Sequence, residues 1–305
     1  MDIGASNWAE SDSSNTTAAP DGAPEGMAPS GINDVLRAHQ GAEKRFWNRI
    51  NPVKTTGGTS TAYTLAYDVA AAAYYDGEII SFIVNATNGA SATLNVNALG
   101  AIPLRLFGAA LMAGALATGQ IVQARYGSAA GAFDIIPQDG GWVRLASQSP
   151  SAASSVDFTG IPAGVNNIHM VAEVRPSTDG ANINMRTYGA AGVVAFGASD
   201  YTWWNRSNNT TPSGGDNVAT TTLIQLASSA DNGTFGVSVE AKAFNIQAAT
   251  STKFHTQSNY LDSAGVNGIG LIGYASRNEA DRITGITLFP SVGTFTGKAT
   301  LFAST

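Results

Sequence analysis

The chain has no cysteine, few charges and no long apolar run. Without cysteine there can be no disulfide staples, no thiolate metal ligands and no thiol nucleophile. Charged residues make up 12% of the 305, against roughly 25% in an ordinary globular domain. The sixteen basic residues are scattered singly and the net charge is −6. The sequence therefore offers no clustered Lys and Arg to neutralise phosphates, and nucleic acid is not an expected partner. The longest mildly apolar stretch, LFGAALMAGALATGQIV, is short and broken by glycine, so membrane insertion is not expected. The opening MDIGASNWAESDSSNTT has neither a basic start nor an apolar core, so no signal peptide is expected and assembly should occur in the cytoplasm.

Catalytic patterns are missing too. There is no GxSxG, no Walker loop and no dinucleotide fingerprint on a strand–turn–helix. Glycan cleavage needs two carboxylates held close together, one protonated and one not. The candidate pairs, Asp157 with Glu173 and Glu279 with Asp281, have no supporting constellation around them. His39, His169 and His255 fall in three separate segments without metal-ligand spacing. The expectation is a protein that is not an enzyme and carries no cofactor or metal.

Gly, Ala, Ser, Thr and Asn fill the space left by charge, and they punctuate many short alternating runs. Between residues 53 and 140 lie TAYTLAYDV, EIISFIVNAT, ATLNVNAL, IPLRLFG, GQIVQARYG and GAFDIIPQ, each bounded by Asn, Gly or Asp. Six such strands describe a small β-sandwich or barrel. YDVAAAAYY, inside this region, is the one stretch after Pro52 that reads as a further short helix. Residues 141–154 are rich in Ser, Ala and Gly and read as a linker. From 155 to 305 come nine more runs, among them NNIHMVAEVRP, GTFGVSVEAKAF and GIGLIGYAS, which describe a jelly-roll-like β-sandwich. The glycines of LFGAALMAGALATG are expected to permit close approach of strands or subunits.

Residues 1–52 differ. PDGAPEGM is rich in turn formers, and Ser30 or Asn33 can cap a helix with Asp34 in its first turn, running to a stop before Pro52. Ile32, Val35, Leu36, Phe46 and Trp47 make an apolar stripe along it. A lone helix of this length is marginal in water, so it needs a partner surface.

This segment resembles the N-terminal attachment segment of tailed-bacteriophage fibre and spike proteins. The resemblance is carried by Pro24, Glu25, Gly26, Met27, Ala28, Pro29, Ser30, Gly31, Ile32, Asn33, Asp34 and Arg37, where the family has a Pro-Glu-Gly-Met stretch, Ala-Pro-Ser-Gly, Asn-Asp and a short Arg-containing helix. The residues after the Arg, His39 and Gln40 here, depart from the family's small and Met residues. The β-regions are similar to the small β-domain and C-terminal sandwich of such fibres. The resemblance implies a virion protein and a homotrimer, docked to portal, collar, capsid or tail proteins through Pro24, Glu25, Gly26, Met27, Pro29, Ser30, Asn33, Asp34 and Arg37. It also implies a distal sandwich for host attachment. A purely architectural head-spike or collar component and a polysaccharide depolymerase are the alternatives.

One stretch suggests a binding chemistry, ASDYTWWNRSNNTTPSGGDN. Tyr201, Trp203 and Trp204 offer flat aromatic faces for the C–H surfaces of a host glycan, and Arg206 with nearby Asn side chains can bond hydroxyls. The competing reading is packing: alternate strand residues point to opposite faces, so one Trp would fill a core and the other meet a neighbouring subunit.

Overall fold

The computed structural model describes residues 16–19, 22–137, 141–207, 216–247 and 251–305. The start of the chain through residue 15 and the polar run at 208–215 lie outside the described residues. The protein is mainly β, with one helix among the described residues. In chain order the elements are α1 (Pro29–Ile50), β1 (Gly57–Gly58), β2 (Ala62–Leu65), β3 (Ile79–Ile83), β4 (Thr93–Val96), β5 (Ala101–Leu106), β6 (Ala109–Ala110), β7 (Ile121–Gly127) and β8 (Ala132–Ile136). There follow β9 (Val143–Gln148), β10 (Val156–Thr159), β11 (Asn167–Pro176), β12 (Ala181–Tyr188), β13 (Tyr201–Ser207), β14 (Asp216–Thr221) and β15 (Ile224–Ala230). The last are β16 (Val237–Phe244), β17 (Thr252–Leu261), β18 (Gly268–Arg277), β19 (Gly285–Pro290) and β20 (Phe295–Ser304). They form two compact units. One takes the described residues of Met1–Leu106 and Leu116–Gln138, the other those of Phe107–Ala115 and Asp139–Thr305.

Helix α1 starts earlier than its polar residues imply. Ser30 and Asn33 do not cap it: Ala28 is the N-cap, with extended backbone and no side-chain bond, and Pro29 occupies the first turn. Proline's fixed φ is already helical and its missing N–H costs nothing there. Asp34 consequently falls beyond the first turn, where it pairs with Arg37 at 3.6 Å on the surface. At the other end Asn51 is extended, as a residue before proline prefers, and its backbone and side-chain N–H groups both donate to Trp47 O.

In the first unit seven strands hydrogen-bond in the order β1-β2-β4-β5-β8-β7-β3, with β2–β4 and β5–β8 parallel. Thr55 then bridges Ile83 of β3, and Thr56 N–H donates to Ile83 O at 2.8 Å. The order returns to its own start, which makes a small barrel and removes open edges. Tyr63, Leu65, Phe82, Leu94, Leu104 and Phe133 fill it. YDVAAAAYY is not a helix. Asn97 bonds both backbone groups of Tyr67, and the Tyr74 hydroxyl accepts from Val96 N–H and donates to Gly100 O. These long-range bonds hold the segment flat against the barrel, and local propensity loses.

In the second unit every pairing is antiparallel. An eight-stranded sheet, β14-β13-β18-β17-β16-β11-β20-β9, faces a four-stranded one, β10-β19-β12-β15. Inner positions alternate with outer ones along β11, β16, β17 and β18, and each fully buried Ile, Leu or Phe contributes about 1.5–3 kcal/mol. Polar bonds also join the sheets: Ser258 Oγ donates to Leu226 O at 2.6 Å and Asn205 Nδ2 to Gln225 O at 3.1 Å. Residues 141–154 are not simply a linker, because they contain β9, which pairs with β20. The glycine-rich run supplies the close approach expected of it. Gly114, at φ +76°, lies so near Ser147 of β9 that a Cβ would collide with the Ser147 backbone.

Candidate functional site

The attachment-type motif folds into a turn laid on a helix start. Met27 N–H bonds Pro24 O at 3.2 Å, and Gly26 between them has φ +77°, a conformation only glycine adopts without cost. The Met27 side chain lies over Gly31, where a Cβ would meet its sulfur at 2.6 Å. So four motif positions, Pro24, Gly26, Met27 and Gly31, have a local structural reason. Glu25, Pro29, Ser30, Asn33, Asp34 and Arg37 are exposed, whereas Pro24 and Met27 are half-buried.

The last turn of α1 is fastened to the barrel. Ser81 Oγ of β3 donates to Ile50 O at 2.6 Å, and Arg49 Nη1 meets Glu78 Oε1 at 3.0 Å with both side chains largely buried. Burial holds the nearby Tyr67 hydroxyl well above its usual pKa. Along the rest of the helix Ala42 is buried, while Ile32 (50%), Leu36 (55%) and Trp47 (56%) stay exposed. These members of the apolar stripe are left uncovered by the described residues.

The aromatic stretch divides as strand geometry requires. Tyr201 and Trp203 point inward, the latter 7% exposed. The Tyr201 hydroxyl accepts from Thr187 N–H at 2.8 Å and donates to Ala195 O at 3.1 Å. Both are packing residues and cannot stack on a ligand, which corrects the expectation for these two. Trp204 and Arg206 occupy outward positions on the eight-stranded sheet.

The paired strands bring Trp204 into a row that no sequence spacing announces. Trp204 lies opposite Tyr274, Tyr274 opposite His255, His255 opposite Lys242, Lys242 opposite His169, and His169 opposite Phe302. Trp204 and Tyr274 stack at 6.1 Å with planes 26° apart, and Tyr274 meets His255 at 5.3 Å. At the other end His169 sits 5.4 Å from Trp142 and 6.0 Å from Phe302. These three, with Glu173 and Lys298, line an open recess of about 470 Å³. His169 Nε2 is 2.7 Å from Glu240 Oε1, and Lys242 Nζ is 2.5 Å from the same oxygen. Burial pulls the His169 pKa below its usual value despite Glu240. The hydrogen bond from Lys242 lowers the Glu240 pKa and keeps it ionised.

Neither carboxylate pair considered from sequence forms an acid–base site. Glu279 and Asp281 both grip Arg277, a fully buried guanidinium. Asp157 accepts from Tyr188 and Ser155 on the small sheet, whereas Glu173 lies on the large one. Among the described residues no group of three or more His, Asp and Glu could hold a metal ion, and no helix is long and apolar enough to cross a membrane. No protein-family model matches the chain, and no curated protein matches it.

Proposed function

We propose that the chain is a structural fibre or spike protein of a tailed-phage-type particle. It docks through the Pro24–Arg37 segment and α1, assembles as a homotrimer and offers its sandwich to the host surface. The observation that carries this reading is the helix: 22 residues long, fastened at its last turn, with Ile32, Leu36, Phe46 and Trp47 exposed. An apolar stripe on a helix held at one end is what a second polypeptide would cover. The turn-and-helix motif supports the same reading through its resemblance to fibre attachment segments.

The test is particle incorporation. A chain carrying Leu36→Glu and Trp47→Glu should fold, keep the melting temperature of the parent and be missing from purified particles by immunoblot. Incorporation at parental levels would defeat the docking role. Light scattering of the parent in native buffer should return three chains; a monomer would count against the trimer.

A further inference from the structure

The outer face of the eight-stranded sheet carries a charge opposite to that of the protein. On the outward positions of β13, β18, β17, β16, β11 and β20 stand five basic residues, Arg175, Arg206, Lys242, Lys253 and Lys298, against two acids, Glu173 and Glu240. The whole chain is −6. Residues scattered along the sequence are thus gathered onto one surface by register. Lys253 is held by the hydroxyls of Ser251 and Ser276 rather than by a carboxylate, so its charge is not cancelled locally. Through this surface runs the row Trp204, Tyr274, His255, Lys242, His169, Phe302. It crosses five strand spacings, about 24 Å at the ordinary interval, the length of several sugar residues laid end to end.

We infer that this face binds an acidic polysaccharide, lying across the strands along the row from Trp204 to Phe302. The inference rests on the host-surface reading above and names its ligand class. Aromatic rings at the two ends of the row give flat apolar platforms for sugar C–H faces. Lys253 and Lys298, to either side of the row, answer carboxylate groups, whereas Lys242 is already paired with Glu240. Glu173 and Glu240 accept hydrogen bonds from hydroxyls, which a sugar chain has in plenty. Nucleic acid carries a charge on every phosphate and is bound by clustered cations; here five basic residues are spread over five strands with two acids among them, which suits the sparser charge and many hydroxyls of a polysaccharide. The recess bounded by Trp142, His169 and Phe302 is large enough for one ring to enter edge-on.

The full chain should be slowed in affinity electrophoresis by polygalacturonate and hyaluronan, not by dextran, and the retardation should fade as salt rises. Tyr274→Ala and Lys253→Gln should each weaken binding about tenfold, as removal of a single well-placed interface side chain does, with the oligomer mass unchanged. No retardation by either acidic polymer overturns the inference, as does tighter binding to oligo(dT). Equal retardation by dextran overturns the acidic class. A Tyr274→Ala chain that dissociates overturns it as well, since the face would then be an interface between copies. Particle incorporation of these sheet variants is read in parallel: it should stay at the parental level, so loss of sugar binding is distinguishable from failure of the docking reading.

Discussion

Helix α1 and the eight-stranded sheet both put large apolar side chains into water, and they do it by different means. On α1 the exposed residues share a helix with polar neighbours, and only Ala42 and Arg49 are buried against the barrel. On the sheet each outward aromatic has an inward partner one residue away: Trp204 beside Trp203, Tyr274 beside Ala275, Phe302 beside Leu301. The helix packs through Ala42 and Arg49 and leaves its apolar stripe open. The sheet already owns a core, so its outer aromatics add only cross-strand contacts such as Trp204 on Tyr274. On the reading proposed above, exposure on the helix marks a surface for docking, and exposure on the sheet marks a surface for a ligand.

The sharpest way to break this contrast is to compare adjacent tryptophans. Trp203→Ala should destabilise the second unit by about 3–5 kcal/mol, the usual cost of emptying a core aromatic site. Trp204→Ala should stay within about 0.5–1 kcal/mol, since it loses a half-exposed ring stacked on Tyr274. Urea unfolding of the two variants measures both. Similar costs would mean that the outer row is structural after all.

Much of this architecture is readable along the chain, because alternation is a local property. Each of the alternating runs before residue 140 forms a strand, and so do the nine after 155. β1, β6, β13 and β14 lie outside those runs. So does β9, because VRLASQ looks like linker and becomes a strand only by pairing with β20, some 150 residues away. YDVAAAAYY misleads for the matching reason: its partners Asn97 and Gly100 lie in another turn. The candidate site is half legible. Strand periodicity requires that Trp203 and Trp204 face opposite ways, but it does not say which is inside. The basic residues look dispersed because nothing in one strand's sequence reveals the register of the next.

Arg49 tests the other side of the contrast. It joins the helix's last turn to the barrel through Glu78, with 7% and 15% of the two side chains exposed. Arg49→Ala removes this charge-assisted hydrogen bond, a change of about 1.5–3 kcal/mol. Hydrogen exchange should then rise in residues 42–50 well before it rises in the barrel strands. If those amides keep their protection, the helix is held by contacts other than its final turn, and the picture of a helix fastened at one end must be redrawn.

The smallest effect concerns His169, which lies in the outer row but is half-buried there between Trp142 and Phe302. Burial comes first among the causes that lower its pKa. Glu240 opposes the shift, and Lys242 reinforces it. The unfolded chain, with an ordinary histidine near 6.5, therefore takes up the proton before the folded one does. Stability is whole above about pH 6.5 and falls as the pH drops below it, down to the lowered native value. His169→Gln removes that proton linkage. Its melting temperature should follow the parent's above neutrality and decline less steeply on the acid side. Parallel acid limbs in the two proteins would mean that His169 meets water as freely as any surface histidine, and that the recess beside it is open on that side.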